Sequence, residues 1–381
     1  MTEHEVNEQI IMRLGMSKSV RGNQIMCHCP FHTDKHPSCS VDVDRALVHC
    51  FSCGYNGKLR GLFREITGHS INKELGIKWE AQDEATFVNP FKETVKEDLS
   101  ATPDVHIALD GAFIPVDKDP DVCKYLMQRC IPVSVAKSMR MSFATMARSF
   151  DTFEPNNKDQ MVYFTKRLVI PIYERGKLLS CEGRDIYGKE YYYNMLRRKG
   201  MDPNEHEYKK CIYPRGASTS TLYDIDKLDS SRRLYFVEGI MDLAVLRTDS
   251  FFNTKNSTAV FGASISERQK WLLSQFESTN YLIDNDYAGW ASLQRWMNYI
   301  KEKNLPNVHY FTLPPFFNLG VKDIGDVPVK TGKSIKECRD AKWLTSQKSI
   351  LDNEGFINEK VEQLRKEKIR LQQVSKLVYN N

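Results

Sequence analysis

Two residues separate Cys29 from His32 and Cys50 from Cys53, and 17 lie between the pairs. That spacing lets two side chains from one tight turn meet a single ion, and the interval is long enough for a hairpin to bring the pairs together. The site expected from it is closed, tetrahedral and structural, holding one Zn²⁺. Its binding free energy, on the order of 10 kcal/mol, is largely folding energy for a module too small to have its own core. Cys27 and His28 are close enough to take one of these places, and His36 and His49 also lie nearby. Cys39 falls where strand alternation would bury it. Disulfides are set aside because the leading stretch "MTEHEVNEQIIMRLGMSKSV" is polar and carries no apolar signal segment.

A second set of residues carries different chemistry. Glu238 closes the apolar run "RLYFVEG", Gly239 permits a turn, and Asp242 follows on the first turn of the next helix. Asp284 and Asp286 close "NYLIDND", and "VKDIGDV" supplies Asp323 and Asp326. One such carboxylate alone reads as a turn residue or a helix cap. Gathered at one edge of a sheet they would repel one another, and one or two divalent cations relieve that most simply. A set without His or Cys suits Mg²⁺ or Mn²⁺, and such sites commonly serve phosphoryl or nucleotidyl transfer.

The elements needed to position these residues can be read coarsely. A short leading helix precedes a metal module over 24–55, and "NGKLRGLFREITG" reads as a helix with Leu59, Leu62, Phe63 and Ile66 on one face. A polar stretch around 72–104 suits a linker. Two short helices split at Pro132 follow, then strands over "RLVIPIYERGKLLSCEGRD" and "KEYYYNM". From Arg233 strand and helix alternate, which predicts a parallel sheet with helical cover and chemistry at the carboxyl ends of its strands. The tail from Glu354 has a helical pattern, with Ile357, Val361, Leu364, Leu371, Val374 and Val378 largely on one face. The fold class is therefore α+β and multidomain, with boundaries expected at 1–75, 76–104, 105–232, 233–335 and 336–381.

The 54 Lys and Arg against 49 Asp and Glu give a net charge of +5, a mild indication of a polyanionic partner. Between Cys123 and Phe150 there are five Lys or Arg and no acidic residue. No window approaches 18 uninterrupted apolar residues, so a soluble, cytoplasmic protein without membrane contact is expected. The "GKS" at Gly332 to Ser334 is not a phosphate-binding loop, because Val327 stands where its first glycine belongs.

"CPFH" followed by "HCFSCG" resembles the amino-terminal zinc-binding domain of DnaG-type DNA primases of bacteria and phages. "FVEG" with Asp242 and "IDND" with Gly289 resemble their toprim fold, and "PIYERGKLLSCEGRD" is similar to the basic subdomain that precedes it. The likeness runs over about residues 24–335, with zinc ribbon (1–75), basic subdomain of the RNA polymerase core (105–232) and toprim domain (233–335) in the same order; the linker (76–104) and the helical tail (336–381) complete the expected chain. It implies that Cys29, His32, Cys50 and Cys53 hold zinc. Glu238, Asp242, Asp284 and Asp286 would be catalytic and, with Asp323 and Asp326, would hold Mg²⁺ or Mn²⁺. Arg167, Arg184, Lys189 and Arg215 would bind NTPs or the nascent hybrid.

The last acidic motif departs from the family's pattern, since Gly325 occupies the usual place of its second carboxylate and Asp326 follows. The activity implied is synthesis of short RNA primers from NTPs on single-stranded DNA. The implied partners are the template, the nascent RNA primer and a replicative helicase, with a monomer expected in isolation and a phage or mobile-element origin for so compact a chain. In the zinc module, Lys35, Lys58 and Arg60 are suited to phosphates, and Phe51 and Tyr55 to stacking on bases. A toprim nuclease or topoisomerase-like enzyme with a zinc DNA-binding module is the alternative.

Overall fold

The alternation after Arg233 becomes a five-stranded sheet in the order β13-β12-β14-β15-β16. Its strands are β12 (Leu234–Val237), β13 (Ser257–Ala259), β14 (Thr279–Leu282), β15 (His309–Thr312) and β16 (Lys348–Ser349). The first four are parallel and β16 is antiparallel to β15. Side-chain alternation distributes the strands between two cores. Val237 and Leu282 join Ile240, Leu243 and Leu246 on one face. Phe236, Tyr281 and Ile283 join Trp290, Leu293 and Trp296 on the other. Both faces are thus covered, so β12 is apolar at every position, while the polar residues Ser257, Thr258, Thr279, Asn280, His309 and Thr312 of its neighbours are buried as well.

The computed structural model describes residues 3–14, 18–21, 24–29, 37–50, 56–67, 71, 75, 98–254 and 256–379. His32, Cys53, Lys35, His36, Phe51 and Tyr55 lie outside the described residues, as do residues 76–97 of the expected linker. The chain divides into one compact unit over Asp98–Leu364 and another comprising Met1–Glu97 with Arg365–Asn381.

Within the larger unit, a second sheet has the order β11-β10-β9-β7-β6, with β8 (Val162–Tyr163) pairing to β7 and β11 (Cys211–Ile212) at one edge. The expected hairpin is present as β9 (Arg167–Glu174) and β10 (Lys177–Asp185). Arg175 and Gly176 both have positive φ at its turn, the geometry that matches strand twist in a two-residue hairpin. The two short helices are Pro120–Gln128 and Val133–Ser138, with Pro132 as the N-cap of the second. β6 (Ile107–Pro115) and β7 (Ser142–Asp151) were not apparent from the sequence. β6 is mostly exposed or half-buried and so shows no apolar alternation.

One sequence expectation is corrected. "KEYYYNM" is not a strand but the start of the helix Lys189–Arg198. Consecutive tyrosines favour strands by propensity, yet the segment pairs with no strand, and its helix buries Leu196. Gly188, at φ 90°, turns the chain into the helix, and its N–H donates to Asp185 Oδ2 across 2.6 Å.

The helix Glu354–Tyr379 begins in the larger unit, where Ile357 and Val361 are buried beside the sheet core and Leu364 packs against it. Leu371 is exposed, and the side chains of Val374 and Val378 lie outside the described residues.

In the smaller unit, β1 (Lys18–Arg21), β2 (Gln24–Cys27), β3 (Cys39–Asp42), β4 (Leu47–Cys50) and β5 (Asn56–Lys58) form an antiparallel sheet in chain order. The helix Glu3–Arg13 contributes Val6, Ile10 and Ile11 to its core, and the helix Leu59–Thr67 contributes Leu59, Leu62 and Phe63. Both surround Cys27, Cys29, Cys39, Val41, Val48 and Cys50.

Candidate active site

In the parallel register, Phe236 of β12 lies beside Tyr281 of β14. Glu238, one residue past β12, and Asp284, two past β14, therefore leave the sheet at the same edge. Both are buried. Gly239 starts the helix Ile240–Leu246, and a Cβ there would collide with Asp242 Oδ2, so glycine lets this carboxylate fold back over the turn. Gly289 has a similar task, since a Cβ at that position would run into the backbone carbonyl of Asp284. Gly325 completes the set: a Cβ there would stand 2.5 Å from Asp242 Oδ1 and 3.3 Å from Asp323 Oδ1. The residue in place of the expected carboxylate thus makes room for two others.

Burial and mutual repulsion govern the titration of these groups. Glu238 is pushed up to about 8 by burial, then by Asp284 and Asp286, while a hydrogen bond from Tyr281 opposes the rise. Asp242 is raised to about 7 by burial and by Asp323 and Asp284, with Arg184 and Arg129 acting against it. Asp284 rises to about 6, chiefly through burial; Lys322 restrains it and Asp323 and Asp286 add to it. Burial and Asp326 likewise raise Asp323.

The remaining carboxylates have structural partners as well. Asp286 is the N-cap of the helix Tyr287–Glu302, its Oδ1 accepting from Gly289 N across 3.0 Å. Its Oδ2 lies 3.0 Å from Lys322 Nζ, which is also 3.3 Å from Asp284 Oδ2. Asp326 Oδ2 accepts from Lys330 Nζ at 2.6 Å and from the Lys322 N–H at 3.2 Å. Asp323 Oδ1 accepts from Asp326 N at 2.9 Å. Among the described residues no three His, Cys, Asp or Glu side chains are arranged as a metal shell. The donor chemistry nevertheless fits a hard divalent cation, and the ammonium of Lys322 is a cation bound between two of the carboxylates.

The four basic positions read from the sequence have varied surroundings. Arg167 donates to the backbone carbonyls of Gly183, Lys209 and Lys210 and so ties the segment before β11 (Cys211–Ile212) to the sheet. Arg184 is buried, its Nε 2.8 Å from Glu182 Oε1, and its charge is felt at Asp242. Arg215 donates to the Asp159 carbonyl. Lys189 is exposed and lies over the Tyr193 ring at 5.6 Å.

An open cleft of about 380 Å³ adjoins the acidic edge, lined by Tyr125, Arg129, Tyr187, Tyr208, Lys210 and Asp326 among others. Arg129 and Lys210 were not singled out from the sequence, although Arg129 falls in the base-rich run after Cys123. Tyr281 and Lys322 were missed too, each standing within a segment already marked by its aspartates.

In the smaller unit, Cys39 is the cross-strand neighbour of both Cys27 and Cys50. Hydrogen bonds to Cys27, Cys29 and Cys50, with burial adding, hold its thiol far above the ordinary value. Cys27, Cys29 and Cys50 therefore each lie against the Cys39 thiol.

Residues 3–82 match the CHC2 zinc finger family. The chain is 24% identical over 328 residues to the DNA primase of Staphylococcus aureus strain MRSA252, covering 77% of this chain and 52% of the relative. It is 24% identical over 340 residues to the DNA primase of Neisseria meningitidis serogroup A, covering 81% and 54%. The chain thus spans about half the length of the curated relatives it matches.

Among solved structures it is similar to the Aquifex aeolicus primase zinc-binding and RNA polymerase domains, at 18% identity and a TM-score of 0.45, covering 94% of this chain and 90% of that one. It is also similar to the primase fragment of the bacteriophage T7 primase-helicase protein, at 13% identity and a TM-score of 0.34, covering 77% and 89%. The resemblance to DnaG-type primases read from the motifs is borne out by the zinc-finger match and the primase relatives. No described helix is long and apolar enough to cross a membrane.

Proposed function

We propose that this chain is a DNA primase that joins ribonucleoside triphosphates into short RNA primers on single-stranded DNA. One conjunction carries the reading: a CHC2 zinc finger and a carboxylate-edged parallel sheet occur on one chain that is similar to DNA primases over most of its length.

Glu238, Asp284 and Asp286 are the proposed centre, with Asp242, Asp323 and Asp326 around it. A bound Mg²⁺ or Mn²⁺ would neutralise charge on phosphoryl oxygens and lower the pKa of an attacking 3′-hydroxyl. The protein's own contribution is positional. The strand ends fix Glu238 and Asp284, Tyr281 orients Glu238, and the glycines at 239, 289 and 325 leave space for the carboxylates.

Arg129 and Lys210 in the adjoining cleft are suited to a triphosphate, and the neighbouring tyrosines to the face of a base. Arg167, Arg184, Lys189 and Arg215 support this basic side, Arg167 by shaping the Lys209–Lys210 segment and Arg184 through its charge near Asp242. The zinc ligands Cys29, His32, Cys50 and Cys53 would shape the small module, whose Lys58 and Arg60 are suited to template phosphates. A replicative helicase is the proposed partner.

The test is incubation of the zinc-loaded chain with single-stranded DNA, labelled NTPs and Mn²⁺ or Mg²⁺. Short RNA products that disappear in Glu238→Gln and Asp284→Asn, with DNA binding retained, are expected. DNA cleavage without RNA synthesis would replace this reading with that of a toprim nuclease.

A further inference from the structure

Lys322 has a fixed root and a movable head. Its carbonyl accepts from the Asn285 N–H at 2.7 Å and its own N–H donates to Asp326 Oδ2 at 3.2 Å, so the backbone is held between two acidic segments. Its side chain is 47% exposed, yet the ammonium turns inward to Asp284 Oδ2 and Asp286 Oδ2. Local structure does not require this. Lys330, by contrast, meets Asp326 at ordinary i,i+4 helical spacing.

We propose that Lys322 is a resident counter-ion, occupying the Asp284–Asp286 edge of the site until a divalent cation displaces it into solvent. The inference rests on the metal-dependent reading above and adds a competitor to it. Asp286 makes the competition direct. Its Oδ1 is committed to the helix cap, which leaves Oδ2 for a ligand, and Oδ2 is the oxygen that Lys322 holds. A Mg²⁺ ion binds carboxylate oxygen at about 2.1 Å. An ammonium on the same oxygens would then face a divalent charge at close range, with little water between them to screen it. A four-carbon arm rooted at the rim can release its head to water without moving the backbone.

The arrangement has two consequences. The metal-free site keeps Asp284 and Asp286 paired and the cleft less repulsive. Cation entry is weakened by the free energy of the ion pair it must break, so the site fills only above a raised cation concentration.

The test uses the full, zinc-loaded chain and Mn²⁺ as the probe. Free Mn²⁺ is followed by electron paramagnetic resonance, and reductive methylation of Lys322 is quantified by mass spectrometry with and without Mn²⁺. Methylation of Lys322 should rise several-fold when Mn²⁺ saturates the protein. Lys322→Met should bind Mn²⁺ about three- to tenfold more tightly, the range expected from losing a half-exposed ion pair, and its metal-free thermal midpoint should fall. Lys322→Arg, which keeps the charge, should bind Mn²⁺ like the wild type.

Unchanged or reduced methylation on adding Mn²⁺ would overturn the proposal, as would weaker Mn²⁺ binding by Lys322→Met, because Lys322 would then be a lasting part of the occupied site. Absence of saturable, Asp284-dependent Mn²⁺ binding in the wild type is a distinct result that would overturn the metal reading and this inference together.

Discussion

Tyr281 donates its phenolic hydrogen to Oε1 of Glu238 across 2.9 Å, and its oxygen stands 3.1 Å from Ser292 Oγ. The ring is fully buried and stacks on Phe236 with centroids 4.4 Å apart, so the hydroxyl is aimed by the core itself. The bond favours the ionised form of a carboxyl that burial drives towards protonation. Tyr281→Phe keeps the packing and removes the donor. It should raise the Glu238 pKa further above 8, weaken Mn²⁺ binding roughly tenfold near neutral pH, and move the acid limb of Mn²⁺ binding to higher pH. Calorimetric titration at several pH values would check this, and an unchanged pH dependence would count against the orienting role.

The raised carboxyls make the metal-free protein sensitive to alkali. Glu238 rises from 4.5 to about 8, Asp242 from 3.8 to about 7 and Asp284 from 3.8 to about 6. Groups raised on folding contribute stability that is present below their ordinary values and is lost as pH climbs through the folded ones. In EDTA that stops short of stripping zinc, stability should therefore decline between about pH 3.8 and pH 8. Glu238→Gln should flatten the decline, gaining on the order of 4 kcal/mol at pH 8 and under about 1 kcal/mol at pH 5. Urea midpoints at the two pH values provide the measurement.

Much of this site is legible in the sequence itself, for a definable reason. Short strand-like segments alternating with helical ones after Arg233 mark a parallel sheet, so Glu238 and Asp284 can be read as strand-end carboxylates. Tyr281 is silent because an aromatic residue inside a strand ordinarily signals core. Lys322 is silent because a lysine beside an aspartate ordinarily signals a solvated turn. "KEYYYNM" misleads because three consecutive tyrosines satisfy strand propensity, whereas the segment folds as a helix. β6 is lost for lack of a buried face. In each case the deciding partner is distant in sequence.

Gly325 tests how tightly the carboxylates are packed. Its φ of −67° and ψ of −25° suit any residue, so alanine would introduce no backbone strain. A Cβ would nevertheless press on Asp242 and Asp323. Gly325→Ala should leave the unfolding free energy from urea within about 1 kcal/mol of wild type while reducing primer synthesis and Mn²⁺ affinity at least tenfold. A loss of stability matching the loss of binding would instead mark Gly325 as a packing residue.

The antiparallel sheet and the helix Glu267–Ser274 are joined by a buried ion pair. Arg268 NH2 lies 2.6 Å from Glu174 Oε1 and NH1 lies 3.0 Å from Oε2, while Thr221 donates to the same carboxylate at 2.6 Å. Arg268 also reaches the carbonyls of Ala101 and Ser220. Although burial alone would raise Glu174, Arg268 and Thr221 hold it below its ordinary value. Removing one partner leaves an uncompensated buried charge, so Arg268→Ala should cost about 3–5 kcal/mol by urea unfolding. Arg268→Met with Glu174→Leu should recover a substantial part, since both charges then disappear. Failure of the double variant to recover would place the main cost in the lost bonds to Ala101 and Ser220.

In the small module, the sequence assigns zinc to Cys29, His32, Cys50 and Cys53, whereas the sheet places Cys39 against Cys27, Cys29 and Cys50. The two possibilities separate by substitution. A ligand thiol cannot be replaced by a hydroxyl without loss of metal, because zinc binds the thiolate, whereas a core thiol can. Cys50→Ser should therefore abolish the expected single zinc and unfold the module, while Cys39→Ala should retain zinc at a cost of about 1 kcal/mol for the small volume removed. Metal analysis of each purified variant, paired with circular dichroism of the same samples, gives both readouts. Zinc retained by Cys50→Ser but lost from Cys39→Ala would move the ligand set one strand across the sheet.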